Sequence, residues 1–318
     1  MGVVGALAAA GPTVPRSERM ARLLEVARRV AQTDANVLLT GESGTGKGSL
    51  ARFLHEASAR SAGPFVTITC ANIPGELLES ELFGHEKGAF TGANELRRGR
   101  FEQADKGTIL IDGVSELAPG AQGKLLRVVQ EKAFERLAGT RTIQVEVRIL
   151  ASTAVDLEAL AAAGTFRSDL YYRLNVIRLD LPPLRERLED LPDLADAALR
   201  EIAARDGGEP RRLTEAALDR MTQYDWPGNL REMRNVLESA VITHTGAEIP
   251  PEALTMGRGD GSGPIAEALR GRYSLSQLEE MYIREVLRLT RGHRAAAAKI
   301  LGINRKTLLE KRKRYRIS

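Results

Sequence analysis

Between residues 36 and 180 the chain alternates short β-branched runs with longer amphipathic stretches. Runs at 36–39, 65–69, 108–112, 145–151 and 176–179 read as strands. All but the last lead into polar or Gly-rich loops, where an α/β fold places its site. The alternation predicts a parallel sheet covered by helices. From about Leu188 the pattern turns helical, interrupted by a turn over 225–229. Residues 257–264, Gly-Arg-Gly-Asp-Gly-Ser-Gly-Pro, sustain neither helix nor strand and read as a flexible linker. Leu275, Leu278, Tyr282, Val286 and Leu289 then recur at helical spacing and open a last, separate module. The division expected is a leader or linker remnant at 1–15, an α/β part at 16–187, a helical part at 188–256, a linker at 257–272 and a terminal module at 273–318.

A length of 318 residues suffices for two or three domains with a well-buried core. Residues 1–10 are apolar but lack a basic flank and are cut short by Gly11-Pro12, which argues against a signal peptide. No apolar run approaches the ~20 residues of a membrane span. Cys70 is the sole cysteine, so an intrachain disulfide is excluded and a reducing cytoplasm is the natural setting. Charge changes the picture more. The net value is +4, but residues 273–318 hold 12 Lys+Arg against 4 Asp+Glu, so the rest of the chain is mildly acidic. That asymmetry suits a nucleic-acid-binding tail.

Gly41-Glu42-Ser43-Gly44-Thr45-Gly46-Lys47 fits G-x-x-x-x-G-K directly after the first strand. Its glycines let backbone N–H groups face phosphate, Lys47 neutralises phosphate oxygens, and the following helix adds its positive N-terminus. Gly48 stands where a Mg²⁺-ligating hydroxyl commonly follows the lysine. Asp112 closes the strand Thr108-Ile109-Leu110-Ile111, in position to hold Mg²⁺ through water. The four histidines are scattered without metal-ligand spacing. About forty residues past Lys47 comes Gly88-Ala89-Phe90-Thr91-Gly92-Ala93. This aromatic has no apolar neighbours with which to build a core, so a contact surface is expected.

The phosphate loop together with the hexapeptide, preceded by Leu77-Leu78-Glu79-Ser80-Glu81-Leu82-Phe83-Gly84-His85-Glu86-Lys87, resembles the central domain of bacterial sigma-54-dependent transcription activators, the enhancer-binding AAA+ proteins. The resemblance implies an AAA+ α/β domain with a helical lid, the hinge lying in Pro182-Pro183-Leu184-Arg185-Glu186-Arg187. It implies ATP and Mg²⁺ as cofactors, with residues 41–48 and Asp112 around the nucleotide and Asp112 on the metal. Residues Gly88 to Ala93 would contact sigma-54. Arg167 and Arg173, in Phe166-Arg167-Ser168-Asp169-Leu170-Tyr171-Tyr172-Arg173, would reach a nucleotide held by the adjacent subunit. Arg231, in Trp226-Pro227-Gly228-Asn229-Leu230-Arg231-Glu232, would sense nucleotide within its own subunit, whereas Trp226 belongs to the lid core.

Three positions depart from the family pattern. Gly113 stands where the family has the glutamate that polarises the attacking water; Thr69 and Ala154 replace two asparagines of the same relay. Removing a general base typically forfeits ~10²–10⁴ in rate. A single loss could be offset by a neighbouring carboxylate such as Glu42 or Glu116; three along one relay imply a site that holds ATP and hydrolyses it poorly.

Residues 295–308 read as helix, tight glycine turn at Gly302 and second helix capped by Asn304, with Ile300, Leu301, Ile303 and Leu308 as the seam. The segment resembles the Fis-type helix-turn-helix that closes these activators. That implies double-stranded enhancer DNA as partner, with Asn304, Arg305, Lys306, Thr307, Lys311 and Arg312 available for bases and phosphates. The preceding helix would pair two such modules. The assembly implied is a homo-oligomeric ring, expected to be a hexamer, that couples nucleotide state to sigma-54 holoenzyme. The alternative is a hydrolysis-deficient DNA-bound regulator, acting alone or with competent paralogues. The length leaves no room for an N-terminal receiver or sensor domain, so control in trans or a shortened chain is expected.

Overall fold

The computed structural model describes residues 15–71, 73–257, 274–290, 297–298, 300–303 and 305–315. The leader expected at 1–15 and the linker at 257–272 fall almost wholly outside these residues, as does Asn304. The chain forms two compact units, one running to Leu254 and one starting at Thr255.

The first unit is built on five parallel strands, β1 (Val37–Thr40), β2 (Phe65–Thr69), β3 (Thr108–Asp112), β4 (Arg148–Thr153) and β5 (Ile177–Asp180), in the order β2-β3-β4-β1-β5. Within each central strand successive side chains enter opposite cores. Leu38, Ile109, Ile111, Ile149 and Ala151 face one cluster, while Val37, Leu39, Leu110 and Leu150 face the other. A parallel sheet covered on both faces needs such near-continuous apolar runs. Helices α1 (Glu18–Ala31) and α2 (Lys47–Glu56) cover the second face; α3 (Gly75–Phe83), α4 (Pro119–Glu131) and α5 (Ser168–Leu174) cover the first. Arg148, fully buried, donates to the carbonyls of Val30 and Ala31 at 2.9 and 3.0 Å, satisfying the C-terminal end of α1.

The run expected at 145–151 is shifted: β4 begins at Arg148 and ends at Thr153. Val145 and Val147 are buried, which is why they read as strand, but Val145 N–H goes to Lys132 O at 2.9 Å, beside the hairpin Ala133–Glu135/Thr142–Gln144. Register then decides what shares an edge. Thr69 pairs with Asp112, Asp112 with Ser152, Thr40 with Thr153 and with Asp180. The segments leaving at Cys70, Gly113, Ala154, Gly41 and Leu181 therefore start side by side.

After the hinge, α6 (Leu191–Asp206), α7 (Glu215–Thr222) and α8 (Asn229–Thr243) form the helical part. Trp226 is fully buried there and donates from Nε1 to Met221 O at 2.9 Å, the core role expected of it.

The second unit contains α9 (Leu275–Leu289) and α10 (Arg305–Arg314), with Gly302 at φ +65° in the turn before α10. Ile283, Val286, Leu287, Ala297, Ala298 and Leu308 form its core, with Leu301, Ile303 and Tyr315 against it. Ile300 is not part of the seam: it is 49% exposed. Ala297, Ala298 and Leu301 lie three and four residues apart and share the inner face, which puts residue 300 round the side.

Candidate functional site

Gly41, Gly44 and Gly46 take φ values of +138°, +81° and +106°, which wrap the loop between β1 and α2. A Cβ at Gly41 would lie 2.6 Å from Leu181 O, and one at Gly44 would lie 2.3 Å from Gly228 O. Side chains are thus excluded on both sides of the loop. Gly46 is the N-cap of α2 and supplies no side-chain cap, so the first-turn N–H groups of a ten-residue helix are available to an anion. Lys47 is buried and its Nζ donates to Gly41 O and Glu42 O at 2.7 and 2.8 Å. Burial lowers its pKa, an effect opposed by the charge of Asp112. Glycine cradle, uncapped helix and inward lysine together fit a polyphosphate.

The loop is also strapped to the helical part. Asn229, fully buried at φ +52°, donates to Glu42 Oε2 and Ser43 O at 3.1 Å each and accepts from Leu184 N at 2.7 Å. Leu230 N–H reaches Gly44 O at 3.0 Å, and Arg187, buried, donates to Thr45 O at 2.6 Å. Arg231 Nη1 donates to Ser43 Oγ at 2.8 Å, so this arginine does reach the phosphate loop. Arg185 pairs with Glu42 through two nitrogens. That hydrogen bond, more than any other influence, holds the Glu42 carboxyl below its ordinary range. Glu42 is therefore tied up as a structural acceptor and is a poor substitute base. The sequence named residues 42 and 231 for the site but gave no sign of the roles of Asn229, Arg185 and Arg187, whose partners lie 142 to 187 residues away.

Asp112 is half-buried and accepts a hydrogen bond from Ser152 Oγ across the sheet. Gly48 is exposed, with open space where a Cβ would stand. No group of three His, Cys, Asp or Glu that could hold a metal occurs among the described residues. Asp112 alone fits a Mg²⁺ that keeps its waters and leans on phosphate oxygens. Gly113 follows at φ +80°, a left-handed conformation that L side chains disfavour. Ala154 lines a cavity of about 260 Å³ beside the loop, with Thr40, Gly41, Glu42, Asp156 and Arg178.

Arg167 is engaged within its own subunit, pairing bidentately with Asp169 at 2.7 and 3.0 Å. Arg173 is exposed at the end of α5, and its guanidinium meets no partner among the described residues. Tyr172 beside it is 72% exposed.

The hexapeptide forms a turn on the hairpin Gly84–His85/Arg97–Arg98. Gly88 N–H bonds to Ala93 O at 2.8 Å and Ala93 N–H to Phe90 O at 3.0 Å, while Gly88 and Gly92 take φ +83° and +104° in open space. Phe90 remains 37% exposed and meets His85 in a T-shaped contact at 5.0 Å between ring centres. His85 is buried and hydrogen-bonded to Ser80 Oγ at 2.8 Å. Of the hexapeptide only Ala93 is inside, at 5% exposure.

In the second unit Lys306 is exposed, and Lys311 is held by Glu279 at 2.5 Å. Tyr315 Oη donates to the other oxygen of that carboxylate at 2.6 Å. No described helix is long and apolar enough to cross a membrane.

Residues 13–180 match the family model "Sigma-54 interaction domain", 185–259 "AAA+ ATPase lid domain" and 274–315 "Bacterial regulatory protein, Fis family". Among similar curated proteins, the transcriptional regulatory protein ZraR of Salmonella typhimurium is 46% identical over 296 residues, covering 93% of this chain and 67% of that protein. The regulatory protein AtoC of Escherichia coli is 42% identical over 315 residues, covering 96% and 68%. The crystal structure of NtrX from Brucella abortus in complex with ADP superimposes with a TM-score of 0.73 at 33% identity, over 98% of this chain and 70% of that one. The same protein in complex with ATP gives 0.72 at 34% identity. The chain spans about two thirds of the length of these relatives.

Proposed function

Because the chain belongs to the family of sigma-54-dependent transcriptional regulators, with an AAA+ lid and a Fis-type helix-turn-helix, we propose that it binds ATP with Mg²⁺ and assembles into a ring on enhancer DNA. In that state it presents the Gly88–Ala93 turn to sigma-54. Residues 41–48, Asp112 and Arg231 hold the nucleotide; NtrX, similar over nearly all of this chain, was crystallised with both ATP and ADP. Arg173 completes the site of a neighbouring subunit, and Arg167 does so once released from Asp169. Lys306 and its neighbours on α10 engage the DNA backbone, as the terminal charge asymmetry supports. Hydrolysis is slow, because residue 113 carries no carboxylate.

The observation that carries this reading is the exposed, glycine-flanked Phe90 on a closed turn. A core-building aromatic would be covered; this one meets His85 in a T-shaped contact and keeps more than a third of its surface exposed for a partner.

The φ of +80° at Gly113 favours the second reading, a regulator working without turnover or alongside competent relatives: the backbone itself has settled where a glutamate is strained. ATP turnover and open-complex formation with sigma-54 holoenzyme, compared between the natural chain and Gly113→Glu, test both. Activity gained only in the variant supports the second reading. Near-normal turnover in the natural chain, abolished by Lys47→Ala, would refute slow hydrolysis.

A further inference from the structure

Gly113 opens a tight turn. Glu116 N–H bonds back to Gly113 O at 2.9 Å, closing a single 3₁₀ turn over Val114–Glu116. The closure brings the stem of the Glu116 side chain beside the glycine. A Cβ built on Gly113 would find Glu116 Cγ as its nearest neighbour, 3.8 Å away, with Cys70 Cβ at 3.9 Å. The space beside Gly113 that a glutamate there would use is thus flanked by a glutamate from three positions on. Glu116 is exposed, and its carboxylate has no hydrogen-bond or ion-pair partner among the described residues.

Among the described residues, the other carboxylates named around this site are engaged. Glu42 serves Arg185 and Asn229; Asp112 takes the Ser152 hydroxyl; Asp156 caps its own helix through Glu158 N and Ala159 N; Glu158 accepts from Tyr171 Oη. Cys70, on the far side of the turn, has its thiol pushed up to about 12, first by burial and then by the charges of Asp112 and Glu116. It is inert as a base or nucleophile.

We propose that Glu116 is the general base of this chain's slow ATP hydrolysis, standing in for the side chain that residue 113 lacks. The proposal rests on the reading of residues 41–48 as an ATP site. The carboxylate takes a proton from water as the water oxygen bonds to the γ-phosphorus. The bond from that phosphorus to the β–γ bridging oxygen breaks, and the oxygen keeps the electron pair as ADP leaves. The proton departs with the released phosphate, which regenerates Glu116. An exposed side chain on a three-residue turn positions water less firmly than one fixed at a strand end, hence the low rate.

The test uses the full chain and reads three quantities: affinity for a fluorescent ATP analogue, thermal midpoint, and the single-turnover rate of phosphate release against pH. Glu116→Gln should leave the first two unchanged, lower the rate roughly 10²–10⁴-fold, and abolish the rise in rate that follows carboxylate ionisation. Added formate should restore part of the rate to Glu116→Ala and none to Lys47→Ala. Unchanged rate and pH profile in Glu116→Gln would overturn the proposal, as would a natural chain that binds the analogue without any hydrolysis. Failure to bind the analogue at all would overturn the ATP site beneath it as well.

Discussion

Arg185 grips Glu42 with both terminal nitrogens, Nη2 to Oε1 at 2.6 Å and Nη1 to Oε2 at 2.9 Å, and so joins the hinge to the phosphate loop. Asn229 shares the same carboxylate from the start of α8. Three segments far apart in the chain therefore meet on one side chain, and any change in lid position is felt at the loop that wraps phosphate.

That pair should be visible in acid. Its hydrogen bond holds Glu42 below the ~4.3 of a free glutamate. The stabilisation is present above that value and is lost as pH falls through the depressed one. Both side chains are about two-fifths exposed, so the effect should be small, ~0–1 kcal/mol. Thermal midpoints measured through the carboxylate range should fall less steeply with acid in Arg185→Ala than in the natural chain; coincident curves would mean the pair contributes nothing.

Arg173 should act only between subunits. Its guanidinium has no partner among the described residues, so Arg173→Ala should leave the thermal midpoint unchanged while lowering turnover by on the order of 10³ or more. Mixing it with Lys47→Ala subunits should recover part of the rate, because mixed interfaces combine an intact loop with an intact arginine. No recovery would place Arg173 outside the neighbour's site.

Phe90→Ala should cost about 0.5–1.5 kcal/mol of stability through the lost His85 contact. ATP affinity should not move, while binding to sigma-54, followed by fluorescence anisotropy, should be lost. Full sigma-54 affinity in this variant would remove the turn from the contact surface.

Lys306→Ala should weaken DNA binding about equally across sequences and reduce the slope of log affinity against log salt by about 1. Lys311, already paired with Glu279, should show a smaller change when replaced. A sequence-selective loss at Lys306 would instead mark it as a base reader.

Much of this was legible from spacing alone. The phosphate loop depends on local backbone chemistry: glycines that reach positive φ and a lysine at fixed separation from them. The strands announced themselves because a sheet buried on both faces demands unbroken apolar runs. The exposed Phe90 followed from its lack of apolar neighbours. The misplaced start of β4 and the outward-facing Ile300 share a cause. Val145 is as apolar as any strand residue, yet its N–H is taken by Lys132; Ile300 is as apolar as Leu301, yet the helix turns it away.

What the sequence determined by itself is the set of chemically committed residues, since glycine, lysine and aspartate at fixed separations act through their immediate backbone. Tertiary structure alone decided which carboxylates are free. Glu42, Asp112 and Glu116 all read as carboxylates in the sequence, and only partners arriving from up to 187 residues away occupy the first, while a serine across the sheet engages the second. Side-chain availability is a property of three-dimensional neighbours, and those are fixed by burial and strand register, which no local pattern encodes.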